Sequence, residues 1–183
     1  MGKLNLELKY LCNDFSPIRK ILKDLRARKI GTFNQKDYFF NLPISKDQKI
    51  IPRLKLRIQE NEYTLVYYER GDFSDTSATP AKVTLFKVSD KKLLDFLKKV
   101  LGIKVVVIKK RDLWKKDRAV FNLDTVRNVG KIFEIEIATD GGLKDRELFN
   151  HYKNKFLPYL NHVVKRSNLD LVLGQTHSNN LDH

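Results

Sequence analysis

The sequence has 183 residues, a length that favours one domain with its own hydrophobic core. Lysine and arginine number 36 against 22 aspartate and glutamate residues, so the formal net charge is +14 and we expect an anionic partner. The single cysteine, Cys12, excludes an internal disulfide and is typical of a reducing compartment. The longest apolar run, Val105 to Ile108, is far too short to span a membrane, and the first residues lack the continuous apolar stretch of an export signal. We therefore expect a cytoplasmic protein with no membrane partner.

Apolar and polar residues alternate through most of the sequence, which predicts β-strands. Eight strands are predicted in chain order, at residues 3–12, 34–42, 51–59, 62–70, 81–88, 104–114, 118–124 and 131–139. Residues 71–80 are rich in Gly, Asp, Ser and Thr and predict a flexible loop. Eight strands are enough to close into a small barrel.

Helical periodicity is confined to three stretches of the sequence. The first, 16–27, begins with Ser16 as its predicted cap, followed by Pro17. The second, 89–101, begins with Ser89 as its predicted cap. The third covers 143–156, breaks at Pro158 and resumes toward residue 173. The predicted fold is α+β: an eight-stranded antiparallel closed β-barrel with helices packed outside, in one domain over residues 1–173, followed by a flexible tail at 174–183.

The second face of the predicted strands is crowded with charged residues. In the third strand Arg53, Lys55 and Arg57 alternate with aliphatic residues, so the three cations share one side of the sheet, and Lys109 and Arg111 repeat the spacing. By the same alternation, further charged residues of the predicted strands lie on this face: Glu7, Lys9, Asp37, Arg70, Arg118, Asp124, Glu134 and Glu136.

Two interpretations of this charged face remain open. In the first, the charged face is the solvated side of an open antiparallel sheet, which is what alternation ordinarily indicates. In the second, the charged face lines the inside of a closed sheet. The predicted helices can cover the aliphatic face, and Lys, Arg and Glu dominate where a solvated face usually includes Thr, Ser and Gln; both observations favour the lining. Enclosing so much charge is costly unless a ligand matches it. A triphosphate with a divalent metal ion matches both signs, because cations bind phosphoryl oxygens and carboxylates bind the metal.

Seven short strings, in order along the chain, resemble one known family. They are Asn5 to Lys9, Gln35 to Asn41, Leu54 to Arg57, Lys109 to Trp114, Leu123 to Val126, Gly130 to Glu136 and Ser167 to Leu171. They resemble the motifs of the CYTH family, also called triphosphate tunnel metalloenzymes, which includes class IV adenylyl cyclases and thiamine triphosphatases. The sequence departs from the family pattern at Asn5 for Glu, Phe39 for Tyr, Asn41 for Asp and Tyr68 for Lys.

The resemblance implies a metal-dependent enzyme with its site in a barrel tunnel, acting as a cyclase (ATP to cyclic AMP and pyrophosphate) or as a triphosphatase. The implied substrate is a nucleotide, thiamine triphosphate or inorganic triphosphate, the implied cofactor is Mg or Mn, and the protein is expected to be a monomer or homodimer. The implied catalytic residues are Glu7, Lys9 and Glu136. Substrate binding is implied for Lys9, Arg53, Lys55, Arg57, Arg70, Lys109, Arg111 and Arg118. Metal binding is implied for Glu7, Asp124, Glu134 and Glu136.

Two further hypotheses remain beside the enzyme. The charge of +14 alone suggests a non-catalytic protein that binds RNA or polyphosphate, although cations placed on strands favour a tunnel over an exposed nucleic-acid surface. Asn5 suggests a regulatory family member that binds the triphosphate without reacting.

Overall fold

A computed structural model describes residues 3–43, 51–70, 79–140, 142–161, 164 and 168–178. Side chains are described within these ranges except at positions 3, 4, 51, 70, 79–81, 168 and 175–178. Residues 71–78 of the loop predicted at 71–80, and the last five residues of the predicted tail, lie outside the described residues, whereas residues 79 and 80 begin a strand.

Eight antiparallel strands and four α-helices make up the described fold, as the sequence predicts. The strands are β1 (Lys3–Cys12), β2 (Arg28–Phe40), β3 (Ile51–Gln59), β4 (Glu62–Arg70), β5 (Thr79–Val88), β6 (Ile103–Lys116), β7 (Ala119–Val126) and β8 (Gly130–Thr139). The helices are α1 (Ser16–Asp24), α2 (Leu93–Leu101), α3 (Leu143–Phe156) and α4 (Asn168–Ser178), with a 3₁₀ turn at Leu157–Tyr159. Within the described residues, no helix has the length and apolar character that crossing a bilayer requires.

The strands form one ring of hydrogen-bonded pairs. Their order is β1-β5-β4-β3-β2-β6-β7-β8, and β8 pairs again with β1, so the sheet is a closed barrel. Because successive side chains of a strand point to opposite faces, closure separates the two faces of every strand into an inside and an outside.

The outer faces of the strands are covered by three helices. Leu6, Leu8 and Tyr10 of β1 are buried in an apolar cluster that also contains residues of α1 and α3, among them Ile18 and Phe149. The helix α2 covers Phe40 of β2 and Leu56 of β3 in a second cluster. The aliphatic face of the alternation is therefore the outer face, and the charged face points inward.

The fourth helix fills one end of the barrel. Leu169 of α4 packs against the inward-facing side chains of Phe39, Val107, Val126 and Ile132. The segment before α4 extends this closure, because the backbone amides of residues 161 and 164 donate to the carbonyl oxygens of residues 11 and 9 in β1. One end of the bore is thus closed by α4 and the segment before it.

The predicted helix bounds differ from the observed ones for local reasons. The helix α1 ends at Asp24 because Arg26 adopts a left-handed backbone with φ 56°, and its N-cap is Phe15, not Ser16. The helix α2 begins at Leu93, four residues after the predicted cap, because the Asp90 side chain accepts from the amide of residue 92 and forms a turn first. At the other end of the chain α4 continues to Ser178, into the segment predicted as a flexible tail.

Candidate functional site

The inward-facing side chains surround a cavity of about 230 Å³ inside the barrel. Lys9, Lys109, Asp37 and Glu134 are each at most 7% exposed, so these charges are withdrawn from bulk water. The charged residues lining the cavity are Glu7, Lys9, Asp37, Lys55, Arg57, Lys109, Arg111, Glu134 and Glu136. Eight of these nine are residues that the sequence analysis assigns to the site, and Asp37 is the ninth.

Asp37 of β2 holds two cations of β3. Its carboxylate accepts from the Lys55 Nζ at 2.8 Å and from the Arg57 Nε and Nη2 at 2.7 and 2.9 Å. Burial alone would raise the pKa of Asp37, but Lys55 and Arg57 hold it well below its usual range. Burial and the neighbouring Arg57 lower the pKa of Lys55 to about 7, even though Asp37 opposes this shift.

Asp124 of β7 organises a second pair of cations on β6. One oxygen accepts from the Arg111 Nε at 2.6 Å, and the other accepts from the Lys109 Nζ at 2.8 Å and the Arg111 Nη2 at 2.6 Å. The side chain is fully buried behind these two cations, outside the lining of the cavity. Both Asp124 oxygens accept from cations in this structure, and the metal-ligand role of Asp124 stays a prediction.

The remaining acids form a ladder between β1 and β8. The strand register pairs Glu7 with Glu136 and Lys9 with Glu134. Lys9 makes ion pairs with Glu7 and with Glu134, the latter at 2.6 Å between Nζ and Oε1. Burial alone would raise the pKa of Glu134, but Lys9 and Arg111 hold it well below its usual range. Burial and the negative charge of Glu134 instead raise the pKa of Glu136.

Asn122 of β7 orients Glu136. Its Nδ2 donates to Glu136 Oε1 at 2.8 Å, and its own Oδ1 is buried with no hydrogen-bond partner among the described residues. Asn122 could not be assigned to the site from the sequence, since only the pairing of β7 with β8 places it opposite Glu134. Asp37 is not among the site residues assigned from the sequence, although the alternation in β2 already places it on the charged face.

Three predicted substrate-binding residues do not reach the cavity or cannot be placed there. Arg118 lies on the outer surface, where it donates to the carbonyl oxygen of residue 138 and makes an ion pair with Asp145 of α3 at 2.8 Å. Arg53 faces the closed end of the barrel, where its Nη2 binds Asp170 of α4 at 2.8 Å. The backbone of Arg70 ends β4, but its side chain lies outside the described part of the chain.

The donor set can accept a divalent cation. Among the described residues, no three His, Cys, Asp or Glu side chains are already arranged as a metal site. The register nevertheless sets Glu7 directly opposite Glu136, where like charges are unfavourable unless a cation lies between them. Mg²⁺ is commonly bound by one or two carboxylates together with substrate phosphates, so this pair is a sufficient contribution from the protein.

The comparison with known proteins identifies the fold family. Residues 3–161 match the CYTH domain model. The chain belongs to the CYTH family. CYTH domains bind triphosphate-bearing substrates with the help of divalent metal ions, in line with the mixed charges of this cavity. No curated protein is significantly similar to the chain in sequence.

Several solved structures share this CYTH architecture at low sequence identity. The PH1012 protein of Pyrococcus horikoshii is 20% identical with a TM-score of 0.75, and the match covers 91% of this chain and 98% of that one. A candidate adenylate cyclase of Vibrio parahaemolyticus is 17% identical with a TM-score of 0.72, covering 94% and 99%. HpAC1 of Hippeastrum, a candidate adenylyl cyclase described as having a dominant triphosphatase activity, is 14% identical with a TM-score of 0.57, covering 87% and 90%. At these identities the similarity shows the fold alone.

Proposed function

We propose that this CYTH domain binds a triphosphate-bearing substrate together with Mg²⁺ or Mn²⁺ inside the barrel and catalyses a reaction at one of its phosphorus atoms. The observation that carries the proposal is the convergence of Lys9, Lys55, Arg57, Lys109 and Arg111 on one cavity. Buried cations at this density indicate a polyanionic ligand, because phosphoryl oxygens replace the hydration that the cations have lost.

The charge balance of the cavity supports a role for the metal. Five cations and four carboxylates line the cavity, and a fifth carboxylate, Asp124, is buried directly behind Lys109 and Arg111, so these ten groups together have no formal net charge when fully ionised. A triphosphate entering alone would bring several uncompensated negative charges into a poorly hydrated space. Entry with a divalent cation at Glu7 and Glu136 removes much of that excess. We therefore expect triphosphate binding to be far weaker in the presence of a chelator.

The chain's own residues account for binding and positioning. Lys55 and Arg57 approach the phosphates from β3, Lys109 and Arg111 from β6, and Lys9 from β1, so a bound chain of phosphates is contacted from three sides. Fixed cations of this kind stabilise the charge that develops on a transferring phosphoryl group. The metal ion, when bound, adds further neutralisation at the same group.

The two reactions proposed for this site differ in the attacking group. A hydrolase adds water to the terminal phosphorus and releases orthophosphate, whereas a cyclase uses the ribose 3′-hydroxyl at the phosphorus nearest the sugar and releases pyrophosphate. The test is incubation of the purified protein with ATP, thiamine triphosphate or inorganic triphosphate, with Mg²⁺ or Mn²⁺, followed by product identification. Glu136→Gln is the matched variant, and its turnover should fall at least about 100-fold while its fold is retained. Equal turnover in Glu136→Gln would contradict the proposed site.

A second candidate function is weak nucleic-acid binding on the outer surface. Because the cavity charges balance, the excess of +14 comes from the rest of the chain. Exposed cations such as Lys20, Lys23, Arg26 and Arg28 around α1 contribute to it. This binding should weaken steeply with salt, whereas triphosphate binding inside the barrel should be less sensitive. Tight RNA binding without any triphosphate product would favour the binder over the enzyme.

A further inference from the structure

The cavity has two unlike sides. Within the described residues, β4 and β5 contribute Val66, Tyr68, Val83 and Leu85 to its lining, and none of these side chains carries a charge. Cations and carboxylates from β1, β2, β3, β6 and β8 line the opposite side. The charged side alone provides the cations and metal-binding carboxylates that a polyphosphate needs.

The uncharged residues form a continuous strip from the phosphate-binding cations to the mouth of the cavity. The register pairs Lys55 with Val66 across β3 and β4, and Val66 with Leu85 across β4 and β5. Exposure rises along this line, from 5% at Val66 to 62% at Leu85. Tyr68 and Val83, paired one step deeper, widen the strip.

Packing inside the barrel explains only part of this strip. Val66, Tyr68 and Val83 also belong to the apolar cluster around α4, which gives them a structural role. Leu85 lies outside that cluster and lines the cavity while most of its surface meets water. An exposed leucine at the mouth of a charged cavity is a suitable contact for an uncharged part of a ligand.

The size of the cavity places that part of the ligand at the mouth. A volume of about 230 Å³ is below the range of roughly 300–1,000 Å³ that is usual for pockets enclosing a whole small molecule. The enclosed space therefore accommodates the phosphates, and any group attached to them extends past Leu85. A phosphoryl group set against the strip would instead lose water without gaining a hydrogen bond.

We propose that Leu85, together with Val66 opposite it, binds an uncharged organic group joined to the polyphosphate at the mouth of the cavity. The substrate class is then an organic triphosphate, such as a nucleoside triphosphate, and not inorganic triphosphate. This inference rests on the proposed function, since it concerns the same cavity.

The test compares the equilibrium binding of ATP and of inorganic triphosphate, each with Mg²⁺, by titration calorimetry. Charge alone favours inorganic triphosphate, because it carries no organic ester and so one more ionisable oxygen. We expect the wild-type protein nevertheless to bind ATP at least about 10-fold more tightly, which is the fold-change expected for burying one aliphatic side chain. Leu85→Gln should lose most of this preference and leave the affinity for inorganic triphosphate within about two-fold.

Phe86→Gln is the matched control. Phe86 neighbours Leu85 on β5, is 58% exposed and points to the opposite face of the strand. This variant should change neither affinity.

The outcomes separate this inference from the proposed function. Binding of inorganic triphosphate as tight as that of ATP, or equal losses of both ligands in Leu85→Gln, would overturn the inference and leave the triphosphate site standing. Binding of neither ligand by the wild-type protein would overturn the proposed function and the inference with it.

Discussion

Asp37 neutralises two buried cations at the cavity wall, which makes its removal an informative perturbation. Asp37→Asn preserves the shape of the side chain but leaves Lys55 and Arg57 without their carboxylate, which is 2% exposed. Breaking a buried ion pair by removing one partner costs about 3–5 kcal/mol. For a protein of this size that corresponds to a fall in melting temperature of roughly 6–20 °C.

The same variant should respond more strongly than the wild type to a polyanion. Without Asp37 the cavity carries one more positive charge, and phosphate oxygens can take the place of the lost carboxylate at Lys55 and Arg57. Added inorganic triphosphate should therefore raise the melting temperature of Asp37→Asn by more than that of the wild type, through its preferential binding to the folded state. Circular dichroism during heating, with and without the ligand, measures both effects.

The control for this measurement is a carboxylate with similar bonding outside the barrel. Asp112 accepts from Arg19 at 2.7 Å and from Thr32 at 2.6 Å on the outer face. Asp112→Asn should also lower the melting temperature, but triphosphate should not restore it preferentially. An unchanged melting temperature for Asp37→Asn, or equal ligand shifts in all three proteins, would refute the reasoning.

Three further predictions concern single residues. Because the pKa of Lys55 is lowered to about 7, its positive charge is present below pH 7 and is lost as the pH rises. Triphosphate affinity measured from pH 6 to 8 should therefore fall more in the wild type than in Lys55→Arg. Parallel pH profiles of the two proteins would count against this role of Lys55. Arg118→Ala should leave turnover unchanged, because its side chain lies on the outer surface and exposed ion pairs contribute little; a large loss of turnover would return Arg118 to the site. Asn122→Ala should weaken metal-dependent triphosphate binding by about 10–100-fold, because it removes the hydrogen bond from Asn122 to Glu136. The binding of inorganic triphosphate measured in the presence of a chelator should not change in this variant.

Alternation along the sequence was sufficient to predict that eight strands exist and that their charges share one face, although it missed the first six residues of β2 (Arg28–Phe40). The pattern at Arg53 to Ile58 and at Phe133 to Ile137 is unambiguous because each step of one residue exchanges the two faces of a strand. It also identified most of the cavity lining, because a strand in a closed sheet has one inside and one outside.

What the alternation could not supply is the position of a charge along the barrel and its partner across the strands. Arg118 continues the pattern of charged residues but falls in the turn after β6, where it reaches α3 instead of the cavity. Arg53 shares a face with Lys55 but lies two residues nearer the closed end, where α4 supplies Asp170. The engagement of Asp124 by two cations follows from the pairing of Arg111 with Asp124 between β6 and β7, which depends on register.

Joining the first strand to the last has a consequence for how the protein is made. One hydrogen bond, from the Asn161 side chain to that of Asn13, links positions 148 residues apart, and β1 pairs with β8 only after most of the chain has been made. Contacts of such long range are slow to form, and until β8 is in place the edges of β1 and β7 expose unsatisfied backbone groups. During translation, β1 therefore cannot complete its pairing until β8 has emerged from the ribosome. Chaperone dependence and aggregation of chains released before residue 139 are the expected cellular signs of this order of assembly.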